Sequence, residues 1–147
     1  MVPAELQPGD TVELTACLEG LRNARLRVTA PRTAVLRELL RDRTPRAFQE
    51  IHEQLKEVCD PVTVYRVLIM LENIGLVRRL FRNGGTALFK IEYGAERFYV
   101  ATKNEAKIEE IEGASSPEIR LAIHRLEERL RALGWREVTH VVQFFHG

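Results

Sequence analysis

Cysteine is scarce. The chain has 147 residues and two cysteines, Cys17 and Cys59, far apart and in no Cys-x-x-Cys pair. A reduced, intracellular protein is therefore expected. No apolar run approaches the roughly 20 residues of a membrane-spanning helix, so no membrane partner is expected. The first ten residues contain neither a basic n-region nor an apolar h-region, so a secretory signal is not expected and a cytoplasmic location is. Signatures of catalysis are missing too. There is no nucleophile elbow, no phosphate-cradling glycine loop and no His-Glu-x-x-His. The acidic pairs Glu109-Glu110 and Glu127-Glu128 read as solvated charge. No catalytic residue is assigned, and the chain is not expected to be an enzyme.

What is present is an ordinary globular balance: 45% hydrophobic and 29% charged residues exclude a disordered tail protein. The length fits one domain or two small ones. Net charge is only +1, but it is unevenly spread: residues 1–20 carry −4, residues 21–91 carry +7 and residues 92–147 carry −2. A basic middle between acidic flanks suggests a polyanion-binding module joined to something else. Chance clustering on a solvated surface is the plain alternative.

Residues 11–23 read as a helix, with Leu14, Cys17, Leu18 and Leu21 at helical spacing and Asp10 or Thr11 placed to cap. Cys17 on that stripe reads as a small core residue. A second helix is expected after Thr29-Ala30-Pro31, because threonine caps and the missing proline N–H is no loss in a first turn. Its buried face is Val35, Leu36, Leu39 and Leu40. Thr44-Pro45 repeats the start signal, and Phe48, Ile51, Leu55 and Val58 line one face of a third helix. Asp60-Pro61 starts a fourth, with Val64, Leu68, Leu71 and Ile74 inward and Gly75 as the residue past its end. The last two, joined by a tight turn, form a helix-turn-helix pattern. The period then changes. Residues 76–82 and 86–91 read as strands around Asn83-Gly84-Gly85, which suits the positive-φ positions of a hairpin turn. Helix-turn-helix followed directly by a β-hairpin is a winged helix.

Residues 93–147 read as a small α/β unit. Residues 98–101 form a short strand, and Ile108 and Ile111 sit on another. Ser115 and Glu118 are spaced as a capping box. The helix that follows carries Ile119, Ala122, Ile123, Leu126, Leu130 and Leu133, and Gly134 ends it. Residues 137–145 read as a strand apolar on both faces: Val138, Val142 and Phe144 on one, Val141 and Phe145 on the other. So small a unit buries little core by itself, and a strand apolar on both faces needs cover on both sides. A symmetric second copy is the expected cover, which makes the protein a homodimer. The expected fold is thus α+β: a winged helix-turn-helix domain over residues 1–92, then a small α/β dimerisation domain over residues 93–147.

With Val64, Leu68 and Leu71 inward, Val62, Thr63, Tyr65, Arg66, Ile69 and Asn73 fall outward or at the margins of the fourth helix. In a helix-turn-helix the start of this helix meets base edges in the major groove. Arg66 can donate two hydrogen bonds to guanine, worth about 1–3 kcal/mol of discrimination. Tyr65 can lie against a thymine methyl or reach a phosphate, and Thr63 can contact either. Arg78 and Arg82, two strand positions that share a face, are candidates for phosphate contacts, with Arg79 pointing away. Arg27 and Arg32, around the start of the second helix, are further candidates for backbone or minor-groove contact. The reading against which this stands is that these are ordinary surface residues.

Several of these segments resemble one family. Leu26-Arg27-Val28-Thr29-Ala30-Pro31-Arg32, Val62-Thr63-Val64-Tyr65-Arg66-Val67-Leu68, Gly75-Leu76-Val77, Gly84-Gly85 and Phe89 are similar to the ferric uptake regulator (Fur) family. So is the C-terminal helix followed by Gly134 and a strand containing His140. The resemblance spans about residues 11–147. It implies a dimeric transcription regulator, usually a repressor, acting on a palindromic operator in double-stranded DNA, with Tyr65 and Arg66 on bases and Arg27 near the minor groove. It also implies metal sensing through a His-rich run after the wing and through Cys-x-x-Cys pairs, and here the sequence departs. Residues 93–100 contain no histidine and residues 101–105 no cysteine. Family ligand positions fall near Pro45 and at Lys90, a cation that would repel a divalent metal. Only His140 keeps a ligand-type residue at its matching place. His52 and His124 read as structural or solvated. His140 and His146, about 20 Å apart along a straight strand, are too distant to share an ion. No metal ligand and no cofactor is expected, and the family's metal switch is expected to be lost. Two alternatives stay open: a winged-helix protein-interaction module without DNA reading, and a metal-responsive regulator with a non-standard site that includes His140.

Overall fold

A computed structural model of the chain describes residues 8–82, 85–92, 98–102, 108–111, 117–136, 138, 140 and 142–146. Four helices come first: α1 (Pro8–Asn23), α2 (Ala30–Arg41), α3 (Phe48–Leu55) and α4 (Pro61–Asn73). A two-residue strand β1 (Arg46–Ala47) separates α2 from α3, and β2 (Val77–Phe81) and β3 (Ala87–Ile91) follow α4. These strands form one antiparallel sheet in the order β1-β3-β2. The second part contains β4 (Tyr99–Thr102), β5 (Ile108–Glu110), α5 (Pro117–Ala132) and β6 (Gln143–His146), with sheet order β5-β4-β6 and β4 parallel to β6. The described residues contain no helix long and apolar enough to cross a membrane.

The stripes expected from the sequence form the main core. Leu14, Cys17 and Leu21 of α1 pack with Val35, Leu36, Leu39 and Leu40 of α2, Ile51 and Leu55 of α3, and Val64, Leu68 and Leu71 of α4. Fully burying one such leucine or valine contributes about 1.5–3 kcal/mol. The wing sheet lies against this bundle through Val77, Phe89 and Ile91. Period-two alternation turns Leu80 and Leu88 to the opposite face, where they meet Ala47 and the buried Tyr99 of β4. Tyr99 thereby ties the second sheet to the back of the wing.

Three helices end alike. After α1, α4 and α5 the chain makes paired backbone bonds of the Schellman type: Leu26 N–H to Leu21 O, Leu76 N–H to Leu71 O and Trp135 N–H to Leu130 O. The residue past the end has a positive φ each time, at Arg25 (60°), Gly75 (84°) and Gly134 (97°).

The structure corrects four expectations. The chain is already helical at Pro8, so Asp10 and Thr11 lie inside α1 instead of capping it. Thr44-Pro45 starts no helix. Asp42 accepts from the Thr44 N–H and hydroxyl (3.1 and 2.7 Å), the chain extends to pair with β3, and α3 starts only at Phe48, where Glu50 bonds back to the Ala47 N–H. The reason is Arg46, whose guanidinium is buried against Glu38 Oε1 (2.7 Å) and the carbonyls of Glu38 and Asp42 (3.0 and 2.9 Å). Val58 lies beyond the end of α3 and is exposed. Finally, among the described residues regular strand at the C-terminus is confined to β6; Val138, His140 and Val142, ahead of it, lie outside regular structure. Asn83 and Gly84 of the wing turn, the run 93–97, Lys103 and the rest of 103–107, Ser115 of the capping box, and Val141 lie outside the described residues, as does the His146 side chain. Gly85, at φ 92°, does occupy a positive-φ turn position.

Candidate nucleic-acid interface

Helix α4 is presented by its start. Asp60 caps it, accepting from the Thr63 N–H at Oδ1 and from the Thr63 hydroxyl at Oδ2, both at 2.8 Å. Those bonds, the backbone one foremost, hold the Asp60 carboxyl below its ordinary range, so it stays ionised at the positive end of the helix. Pro61 occupies the first turn at no hydrogen-bond cost. Val64, Leu68 and Leu71 anchor the helix inward, which leaves Val62, Tyr65 and Arg66 exposed and Thr63 half-buried on its first two turns.

The Tyr65 ring has a neighbour that sequence reading missed. Phe48 meets it edge-on, with centroids 5.6 Å apart and planes at 86°. Phe48 in turn stacks on His52 (6.1 Å, 25°), whose Nε2–H donates to the Cys59 carbonyl at 3.2 Å. The available signal was an aromatic pair at i, i+4 on the helix preceding the recognition helix; the sequence reading had assigned Phe48 to the core stripe.

The arginines divide by partner. Arg27 is exposed just ahead of α2, and Arg32 donates to its carbonyl at 2.7 Å. Thr29 caps α2 by accepting from the Arg32 N–H. Arg82, past the end of β2, reaches Glu50 on α3 at 3.4 Å. Arg79 turns toward the helices, doubly bonded to Glu72 (2.9 Å each) and set over the Phe89 ring at 5.2 Å. Arg78 turns the other way, to Glu92 (3.0 Å) and the His140 carbonyl (2.8 Å). Thr63, Tyr65 and Arg66 therefore share one exposed surface, and Arg27 and Arg32 are linked. Arg78 is engaged with the C-terminal segment.

A cleft of about 570 Å³ opens between the end of α4, β2 and the C-terminal part, lined by Glu72, Arg78, Arg79, Glu127 and His140 among others. Its charged groups are paired: Glu72 with Arg79, and Arg78 with Glu92 beyond the lining. His140 Nδ1 contacts Glu127, which also accepts from Arg131 at 3.2 Å. Elsewhere His124 pairs with Glu128 on the exposed side of α5 (3.1 Å). Among the described residues no three His, Cys, Asp or Glu side chains come together in a way that could hold a metal ion. Burial pushes the Cys17 thiol up to about 11, and burial with the neighbouring Asp60 charge raises Cys59 as well, so neither is poised as a thiolate ligand.

A helix-turn-helix whose second helix exposes Tyr65 and Arg66, followed by an antiparallel wing, defines a winged-helix DNA-binding protein. The comparisons narrow the class. The ferric uptake regulator family model matches residues 23–145. The ferric uptake regulation protein of Pseudomonas fluorescens is 32% identical over 112 residues, which is 74% of this chain and 89% of that protein. Among solved structures, the ferric uptake regulator of Pseudomonas aeruginosa with manganese superposes with a TM-score of 0.61 at 26% identity, covering 87% of this chain and 94% of that one. The Helicobacter pylori regulator, described as having three functional metal binding sites, gives 0.61 at 19% identity over 97% of this chain and 93% of its own. The chain belongs to the ferric uptake regulator family and is a DNA-binding transcriptional regulator rather than an enzyme. Its fold is the winged helix plus small dimerisation unit of that family. The described residues offer no donor set that fits the metal such relatives carry. The His140 ring contacts the Glu127 carboxylate.

Proposed function

We propose that the protein works as a cytoplasmic homodimer that reads a palindromic operator and represses transcription there, without the metal switch of its relatives. The observation that carries the reading is the exposure of Tyr65 and Arg66 on the first turns of a well-capped α4. Residues 1–92 bind DNA. Arg66 pairs with guanine, Tyr65 contacts a thymine methyl or a phosphate, and Thr63 lends its remaining acceptor capacity at the helix start. Arg27, Arg32 and Arg82 supply phosphate or minor-groove contacts. Arg78 holds the C-terminal segment instead. Residues 93–147 dimerise. This is supported by α5, which has no buried side chain in the single chain, and by Phe144 and Phe145, which are both exposed on β6.

Selection of bound sequences from a random duplex pool tests the reading. The expected result is a palindromic motif, with affinity falling steeply against log[salt]. Absence of any enriched motif would overturn it. For the metal, elemental analysis of purified protein is expected to find no stoichiometric zinc, iron or manganese, and a chelator to leave the melting temperature unchanged. A ligand held only by the folded state must stabilise it, so about one tightly bound ion per chain would restore a metal-responsive reading.

A further inference from the structure

We infer that Phe48, braced by His52, positions the Tyr65 ring for base contact, so that α3 preorganises the recognition side chain of α4. The inference rests on the DNA reading above and deepens it. An exposed tyrosine on a helix start is free to sweep between rotamers, and fixing it on binding costs side-chain entropy. Here the ring is already met from one side. The 86° edge-on approach at 5.6 Å is a favoured geometry for aromatic pairs. Phe48 is itself oriented by the His52 ring at 6.1 Å. The imidazole is oriented by its Nε2–H bond to the Cys59 carbonyl, the residue directly before the Asp60 cap. Turn carbonyl, imidazole, phenyl and phenol thus form one continuous relay from the helix-turn-helix corner to the reading face. Ile51 and Leu55 are the buried residues of α3, while the half-buried Phe48 packs against the edge of the core and turns its ring to Tyr65. Phe48 and His52 are therefore positioning residues that act through Tyr65.

The test uses the full-length protein and the motif that the wild type selects from random duplexes. Affinity for that motif relative to a scrambled duplex is measured for Phe48→Met, which keeps bulk and loses the ring, and for Phe48→Tyr, which keeps the ring. Phe48→Met is expected to lower the specificity ratio about two- to tenfold, Phe48→Tyr to retain it, and Phe48→Met to have no further effect on the ratio in a Tyr65→Ala background. The Tyr65 ring-proton resonances of the free protein are expected to move toward averaged values in Phe48→Met. His52→Gln, which leaves the buried core untouched, is expected to give a smaller loss in the same direction and keeps the test decisive if Phe48→Met folds poorly. A wild type that selects no motif overturns the DNA reading, and the inference with it. A motif selected by the wild type and bound with undiminished specificity by Phe48→Met and His52→Gln, or an equal loss on motif and scrambled duplex, overturns the inference alone.

Discussion

Glu38 and Arg46 illustrate how much a few charged side chains carry. Both side chains are about nine-tenths buried, bonded to each other, with Arg41 on the second carboxylate oxygen at 2.8 Å. Burial by itself would raise the Glu38 carboxyl; the hydrogen bonds from Arg41 and Arg46 outweigh it and hold the group below the ordinary value of 4.5. A carboxylate whose folded-state value is depressed stabilises the fold fully above its unfolded value, and that stabilisation is lost as the pH falls through the folded one. Glu38→Gln is expected to cost about 3 kcal/mol at neutral pH, because it leaves the buried Arg46 only the more distant Asp42, at 3.6 Å, as counter-charge. It is also expected to flatten the loss of stability below pH 4.5. Urea melts across pH check this; a variant with the wild-type acid limb would refute the assignment. At the reading face, Arg66→Ala is expected to cost about 1–3 kcal/mol of specific binding and to relax preference at one base position per half-site. Unchanged preference in a repeat selection would remove Arg66 from the base contacts.

Helix ends and the wing set the element scale. The left-handed residue that closes α1 is Arg25, whereas α4 closes on Gly75. A non-glycine residue there carries about 1–2 kcal/mol of strain. Arg25→Gly is therefore expected to raise stability by about 0.5 kcal/mol after the added freedom of the unfolded chain is subtracted. Gly75→Ala is expected to lower it by about 1 kcal/mol. An added Cβ at Gly75 would meet nothing within 4 Å, so that cost is backbone strain alone. Thermal melts giving both changes the same sign would contradict the shared motif. In the wing, the Arg82 guanidinium reaches the half-exposed Glu50 at 3.4 Å, a pair weak enough to be exchanged for a phosphate. Arg82→Ala is expected to weaken all duplexes alike and to flatten the salt slope by about one unit per protomer, read from binding isotherms across salt.

Across the whole molecule, the back of the wing is where the two parts meet. β2 is an edge strand, and its Phe81 N–H and carbonyl are satisfied by the Gln143 side-chain amide at 2.9 and 2.8 Å. With Tyr99 over Leu80 and Leu88, and Arg78 on the His140 carbonyl, the C-terminal part sets the orientation of the reading head. α5, the turn after it and β6 also present apolar side chains to solvent, with Leu126, Leu133, Trp135 and Phe144 each more than half exposed. Leu126→Arg is expected to convert the dimer to monomer at micromolar concentration and to weaken operator binding steeply, because the two half-sites are no longer linked. Sedimentation showing a monomeric wild type would overturn the assignment of this surface.

The local pattern was enough for α2 and α4. Cap, proline and apolar stripe, joined in α4 by a terminal glycine, all lie within about four turns of chain, so Thr29-Ala30-Pro31 and Asp60-Pro61 announced helices that the structure contains. The exposed Tyr65 and Arg66 followed from the same stripe. The family, too, was legible, because Thr63-Val64-Tyr65-Arg66 is contiguous. Thr44-Pro45 carried the same local signal and misled, since a buried Glu38–Arg46 pair and a strand partner more than forty residues away on β3 outweigh a cap. The Phe48–Tyr65 contact, the diversion of Arg78 to Glu92 and His140, and the Gln143 clamp on Phe81 joined residues that no spacing rule connects. Hydrogen-bond and apolar periodicity act within a few residues and are written in order along the chain. Which distant side chain satisfies a given charge or strand edge depends on how the elements pack, and only the tertiary structure decided it.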